Sequence, residues 1–252
     1  MLTFALILMK FKKYYRIVAP MSDILDKIIN IFKWPAAVLA LWTLPAFFQS
    51  LDYFDFRTIY FAALVGGFIV YFFGQLSMDK EAKTSMQIIA HELTHSFFAL
   101  ITFHSVKHIR VADDNSGGSM GFVGTGNWLI IIAPYFFPLF CLFFMLGITI
   151  YLKVMPMNWI ISVLFGYFVG YFVDTVASQI HDKQTDLKEV GYPFCFMFLP
   201  GANLWILGSL LAFNGRLSKG GTGWDGVFAY PKLLWKLNID NLDYIIGLFR
   251  HF

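Results

Sequence analysis

Long apolar stretches without charge recur along the chain, separated by short polar segments. A helix needs about 20 apolar residues to cross the hydrocarbon core of a bilayer. One further stretch of that length is interrupted only by His91, Glu92 and His95. The pattern predicts about six transmembrane helices, over Trp34–Leu51, Thr58–Met78, Thr84–Phe103, part of Asn115–Leu152, Val154–Val173 and Val190–Gly215.

The composition supports a membrane protein. Apolar residues make up 58% of the 252 residues and charged residues 14%, against roughly 25% charged in soluble domains. A soluble globule of this size could not bury so many apolar side chains. The low charge and the two cysteines, Cys141 and Cys195, also argue against a disordered chain, a nucleic-acid binder and a disulfide scaffold. We therefore expect an all-α polytopic membrane protein.

Three regions are expected: a cytoplasmic or interfacial segment at 1–33, a transmembrane domain at 34–215 and an interfacial tail at 216–252. Met1–Met9 is too short to span and suggests an interfacial helix. Basic residues before the first span place the N-terminus in the cytoplasm. Alternate crossings then put Lys80 and Lys83 inside after two spans, and Val154–Val173 starts inside as well. The N-terminal basic residues are Lys10, Lys12, Lys13, Arg16, Lys27 and Lys33.

One motif carries specific chemistry: His91-Glu92-Leu93-Thr94-His95, an H-E-x-x-H pattern. On a helix, residues four apart share a face, so both imidazoles can bind one zinc ion. Glu92 lies between them and can act as general base on a zinc-activated water. Ionisable groups within an apolar span are costly and usually functional, which favours a site over an incidental polar patch.

The third zinc ligand must come from a distant segment, because Ile101 occupies the position six residues beyond His95. Polar residues recur at helical spacing at the end of the fifth span and beyond it. By the count of crossings, Asp174 lies at the depth closest to that of His91. The candidate ligands are Asp174, His181, Asp182, Asp186 and Glu189.

Four segments resemble the site-2 protease class of intramembrane zinc metalloproteases, and in particular its smaller bacterial members. They are the HExxH helix Ile88–Leu100, a glycine-containing hairpin at Val106–Val123, the opening of the next span at Gly126–Pro138, and Gln184–Gly191 with Phe198–Leu204. The resemblance covers about half the chain. Familiar members carry Leu-Asp-Gly or Asn-Pro-Asp-Gly in the third-ligand helix, whereas Asp186 lies in Thr-Asp-Leu. Trp224-Asp225-Gly226 is interpreted as a surface turn.

The resemblance implies a zinc metalloendopeptidase of the bacterial inner membrane that cleaves membrane-embedded proteins. It implies His91, His95 and Asp186 as zinc ligands and Glu92 as the catalytic base. A short hairpin-like re-entrant loop after the HExxH helix could pair with an unwound substrate strand. Asn203 could donate to the oxyanion, although a helix-packing amide is the simpler interpretation.

Two other classes remain open. A transporter or channel could use intramembrane His and Asp for cations, but it predicts inverted repeats, and none is found. A non-catalytic membrane scaffold that binds zinc would be expected to have lost part of the HExxH motif. The sequence does not indicate the substrate, the trigger or the oligomeric state.

Overall fold

A computed structural model describes residues 21–112 and 117–249. Residues 21–31 are helical. The elements that follow are α1 Lys33–Trp42, α2 Leu44–Ser50, α3 Ile59–Leu76, α4 Lys80–Ile101, β1 Val106–Val111, β2 Gly118–Phe122, α5 Trp128–Ile132, α6 Leu139–Tyr151, α7 Trp159–Gln179, α8 Thr185–Val190, α9 Tyr192–Leu217 and α10 Trp224–Phe249. Met1–Met9 and the basic residues before position 20 lie outside the described residues.

Helices α3 and α7 form the closest helix pair, and glycines make the contact possible. A Cβ on Gly67 would lie 1.8 Å from the carbonyl oxygen of Val163, and one on Gly166 would lie 1.9 Å from that of Leu64. Only glycine allows backbones to approach this closely. Further along, Gly170 packs against Tyr71. Because the contacts advance from Leu64 with Gly166 to Tyr71 with Gly170 and Asp174, α3 and α7 run parallel.

Helices α6 and α9 run against this pair. Phe140 contacts Tyr171 and Phe144 contacts Phe165, so α6 is antiparallel to α7. Near the start of α3, Asn214 donates to the carbonyl oxygen of Tyr60, so α9 is antiparallel to α3. Helix α1 runs alongside α9, with a Cβ on Gly201 only 1.9 Å from the carbonyl oxygen of Ala40.

The parallel α3 and α7 show that the predicted alternation of crossings is wrong. Two crossings were expected between them, which would make them antiparallel. The HExxH helix α4 explains the difference, because it does not cross in the direction opposite to α3 as the count assumed. Lys83 contacts Asp174 and His91 contacts Gln179, so α4 advances along α7 in the same direction as α3.

Three helices, α3, α7 and α9, are long and apolar enough to cross a membrane. Two bent pairs raise the number to five if each is one span: Lys33–Trp42 with Leu44–Tyr53, bent by 42°, and Trp128–Tyr135 with Leu139–Tyr151, bent by 79°. This supports an integral membrane protein built mainly from helices. The HExxH helix, predicted as the third span, is not among them, because its polar residues lower its hydropathy.

A two-stranded antiparallel sheet follows the HExxH helix, as the glycine pattern predicts. Val111 pairs with Gly118 and Val106 with Phe122, with an irregularity between Val106 and His108. The last described element is the long helix α10. The interpretation of Trp224-Asp225-Gly226 as a surface turn is wrong, because these residues open α10 and Gly226 packs on the carbonyl oxygen of Ala212.

Candidate metal centre

The HExxH residues lie on the buried face of α4. Asp79 caps this helix by accepting a hydrogen bond from the backbone N–H of Ala82. The imidazoles of His91 and His95 are one turn apart, with ring centroids separated by 4.6 Å. Both side chains and Glu92 are buried. The four-residue spacing therefore places the two imidazoles side by side, as the motif predicts.

Asp186 reaches the histidine pair because the chain folds back after α7. Helix α7 ends at Gln179, and the short helix α8 begins six residues later at Thr185. The Oδ2 atom of Asp186 lies 3.1 Å from Nε2 of His91 and 3.2 Å from Nε2 of His95. The C-terminus of α8 is held by Lys33, whose Nζ donates to the carbonyl oxygen of Val190 at 2.7 Å.

The geometry of these three donors fits a zinc ion. Within the described part of the chain, His91, His95 and Asp186 form the group of metal-binding side chains whose ligand atoms lie within 4.8 Å of one another. Zinc bonds of about 2.0–2.1 Å at tetrahedral angles would separate ligand atoms by about 3.3 Å. The two nitrogen–oxygen distances are close to that value.

The hydrogen bonds of Nδ1 in His91 and His95 determine that Nε2 of each ring faces the metal centre. The carbonyl oxygen of Ile130 can only accept, so Nδ1 of His95 donates to it at 2.8 Å. The amide of Gln179 donates to the carbonyl oxygen of Gln87, which directs its Oε1 toward Nδ1 of His91 at 2.9 Å. A neutral imidazole that donates from Nδ1 has its lone pair on Nε2. Both lone pairs therefore point at Asp186, where a cation would relieve the repulsion between acceptors.

Asp186 has a further partner behind the centre. The buried hydroxyl of Tyr135 donates to its Oδ2 at 3.1 Å. A hydroxyl that donates to Asp186 stabilises its carboxylate, the form that binds metal.

Glu92 and the three donors line one cleft of about 690 Å³, between α4, strand β2 and the segment from Ser178 to Glu189. Strand β2 lies directly over the carboxylate of Glu92. A Cβ on Gly118 would be 2.7 Å from Oε1 of Glu92 and 2.6 Å from a methyl carbon of Ile88. A molecule in this cleft would therefore contact both the metal centre and the hairpin.

The other predicted ligands do not join this three-donor cluster. Asp174 accepts hydrogen bonds from Tyr71 and Gln87 and pairs with Lys83 at 2.8 Å. His181 is exposed and interacts with Lys183 and Gln184, and Asp182 and Glu189 are exposed as well. The prediction that Asp174 lies closest in depth to His91 is wrong, because the segment that carries Asp186 folds back to the level of His91.

Asn203 does not line the cleft. Its amide nitrogen donates to the carbonyl oxygens of Tyr135 and Leu199, which matches a helix-packing amide. Sequence reasoning missed Gln179 and Tyr135 as neighbours of the metal centre. The polar position of Gln179 at the end of an apolar helix was a usable signal, whereas Tyr135 within an aromatic run gave none.

The fold and the site together define an integral membrane protein with a His/His/Asp cluster in a cleft. Residues 81–176 match a family model described as Peptidase M50B-like. The resemblance to the site-2 protease class is thereby confirmed over this part of the chain, which includes the HExxH helix but not Asp186. No curated protein and no solved structure matches.

Proposed function

We propose that the chain is an intramembrane zinc metalloprotease that cleaves membrane-embedded proteins. The observation that carries the proposal is the convergence of His91, His95 and Asp186 beside Glu92 in one cleft. Zinc held by these three residues would supply a Lewis acid that polarises the peptide carbonyl and lowers the pKa of water. A transporter gives Glu92 no role, and a scaffold needs no open cleft.

Glu92 performs the proton transfers in this proposal. Its carboxylate accepts a proton from the attacking water and returns it to the leaving amine when the peptide bond breaks. The position of Glu92 between the ligands brings it to the same cleft without making it a fourth ligand. Glu92 is buried, and Gly118 packs directly against its carboxylate.

The hairpin supplies a place for an unwound substrate strand. In the described residues the sheet has only two strands, so the second edge of β2 has no strand partner. Gly117 accepts from Ala112 and Val123 donates to Ser105, so these alternate backbone groups face β1. The groups of Gly118 and Met120 therefore face the other way, where an extended peptide could pair by strand addition.

The distribution of basic residues favours one orientation of the bundle in the membrane. More Lys and Arg residues lie near the metal centre than at the opposite end of the bundle, which is marked by Tyr60 and Asn214. Positive residues collect on the cytoplasmic side, so we propose that the metal centre and the N-terminus face the cytoplasm of a bacterial inner membrane. The first group is Lys27, Lys33, Lys80, Lys83, Lys107, Arg110, Lys183 and Lys188. The second is Arg57, Lys153, Arg216 and Lys219, and Lys232 and Lys236 follow further along α10.

The test is proteolysis of a transmembrane peptide by the purified chain in detergent, compared with Glu92→Gln. An amide preserves the shape of the side chain but cannot accept the water's proton. We expect Glu92→Gln to retain zinc and lose cleavage by at least about 10³-fold, measured by mass spectrometry of the products. Unchanged cleavage in this variant would contradict the role of Glu92, and loss of zinc would indicate that Glu92 is a ligand.

A further inference from the structure

A second polar cluster lies buried away from the metal centre. Asp26, in the helical segment 21–31, and His104, just after α4, are each only 2% exposed. Oδ2 of Asp26 lies 3.1 Å from Nε2 of His104. The proposed reaction uses neither residue. Burying such a pair is costly, so its contacts with neighbouring groups are informative.

His104 is held through both ring nitrogens. Its Nδ1 lies 3.0 Å from the hydroxyl of Thr102, which also contacts the carbonyl oxygen of Phe98 at 2.7 Å. Its Nε2 donates to the carboxylate of Asp26. Gly124 packs against the ring of His104, since a Cβ at this position would lie only 3.0 Å from a ring carbon.

Through its second carboxylate oxygen, Oδ1, Asp26 is linked to the metal centre by a series of hydrogen bonds. Oδ1 accepts from the side-chain amide of Asn127 at 2.7 Å. The carbonyl oxygen of that amide accepts from the backbone N–H groups of Leu129 and Ile130 and so caps α5. The carbonyl oxygen of Ile130 then accepts from Nδ1 of His95 at 2.8 Å. Consecutive hydrogen bonds thus join Asp26 to a proposed zinc ligand.

The same helical segment holds α5 at two further points. The indole N–H of Trp128 donates to the carbonyl oxygen of Ile29 at 2.7 Å. Its backbone N–H donates to the side chain of Asn30 at 3.3 Å. Hydrogen bonds from positions 26, 29 and 30 therefore fix the first turn of α5, which carries the acceptor for His95.

We propose that Asp26 is a positioning residue for the metal centre. Through Asn127 it holds the first turn of α5 so that the Ile130 carbonyl keeps Nε2 of His95 turned toward the metal. This inference rests on the proposed zinc site. Groups that orient a ligating histidine commonly change metal affinity by about 10–100-fold.

The experiment compares zinc affinity of the full chain in detergent, by competition with a chromogenic chelator, for wild type, Asp26→Asn and Asp23→Asn. Asparagine at position 26 lacks the charge and presents N–H protons to groups that already donate. We expect about 10–100-fold weaker zinc binding in Asp26→Asn. Asp23 is exposed on the same helical segment, so Asp23→Asn should bind zinc as wild type does.

A second variant separates positioning from packing. Serine at position 127 can still cap α5 through its hydroxyl oxygen, but its shorter side chain has no donor where the Asn127 amide nitrogen meets Asp26. We expect Asn127→Ser to weaken zinc binding in the same range and to alter the absorption spectrum of the cobalt-substituted chain, which reports ligand geometry. Metal binding and spectra that match wild type in Asn127→Ser and in folded Asp26→Asn, even with lower melting temperatures, would overturn the inference. Wild-type chain that binds no zinc would overturn the proposed function and this inference with it.

Discussion

At the scale of single residues, the two histidines are oriented by different kinds of acceptor. His95 donates to the main-chain carbonyl of Ile130, which no substitution at position 130 removes. His91 donates to the side chain of Gln179, which substitution can remove. The second hydrogen bond of Gln179, to the carbonyl of Gln87, fixes the direction of its amide. Gln179 is therefore the replaceable part of the ligand shell.

We predict that Gln179→Met weakens zinc binding by about 10–100-fold, because His91 is then free to rotate or change tautomer. Gln179→Glu should lose less affinity than Gln179→Met, since a carboxylate also accepts from Nδ1 although it cannot donate to the carbonyl of Gln87. Zinc affinity of the two variants in a chelator competition checks this expectation. Equal affinity of Gln179→Met and wild type would show that packing alone orients His91.

At the scale of elements, the cleft depends on the separation between strand β2 and helix α4. Gly118 sets that separation, because even a methyl group there would collide with Glu92 and Ile88. Gly117, its neighbour, has no heavy atom within 4 Å of the position of a Cβ. The two glycines therefore offer a matched pair of substitutions.

We predict that Gly118→Ala lowers kcat/KM for a transmembrane peptide by about 10–100-fold, since a displaced hairpin misplaces the substrate strand. Gly117→Ala should stay within about twofold of wild type under the same assay. If both variants cleave like wild type, the hairpin does not position substrate against Glu92.

Local features of these elements follow from the sequence, whereas their directions do not. The spacing of His91 and His95 predicts a shared helix face, and the glycines after α4 predict a turn between strands. Both depend on neighbours in the chain. The parallel packing of α3 and α7 depends on Gly67 meeting Val163 and Gly166 meeting Leu64, about 100 residues away in the chain. Nothing in either helix alone identifies that partner.

The third donor shows the same limit. Asp186 is indicated by resemblance, but a count of crossings favours Asp174, because such counting assumes that each apolar stretch spans once. The segment after Gln179 instead turns back and places α8 against α4. That turn is stabilised by long-range contacts such as the one between Lys33 and Val190, which the sequence does not reveal.

At the scale of the whole molecule, the bundle has two chemically different ends. The metal centre, the hairpin and most basic residues share one end. The second end carries the loops that begin α3 and α7 and end α6 and α9. An orientation with the metal centre toward the cytoplasm makes the cleft accessible from that side.

We predict that Lys219→Cys reacts with a membrane-impermeant maleimide on intact cells, whereas Lys183→Cys reacts only after permeabilisation. Both lysines are exposed, and the native Cys141 and Cys195 are buried and should remain unlabelled. The labelled fraction before and after permeabilisation gives the orientation. Labelling of Lys183→Cys alone on intact cells would reverse the proposed orientation.

The central claim is that His91, His95 and Asp186 bind one zinc ion, and metal content tests it most directly. Zinc per chain should be measured by mass spectrometry for purified wild type, Asp186→Ala and Asp174→Ala. We predict about one zinc per chain in wild type and Asp174→Ala, because Asp174 contacts Lys83, Tyr71 and Gln87 instead. Asp186→Ala should lose the metal, since two imidazoles alone hold zinc weakly. Zinc retained in Asp186→Ala and absent from Asp174→Ala would contradict the account.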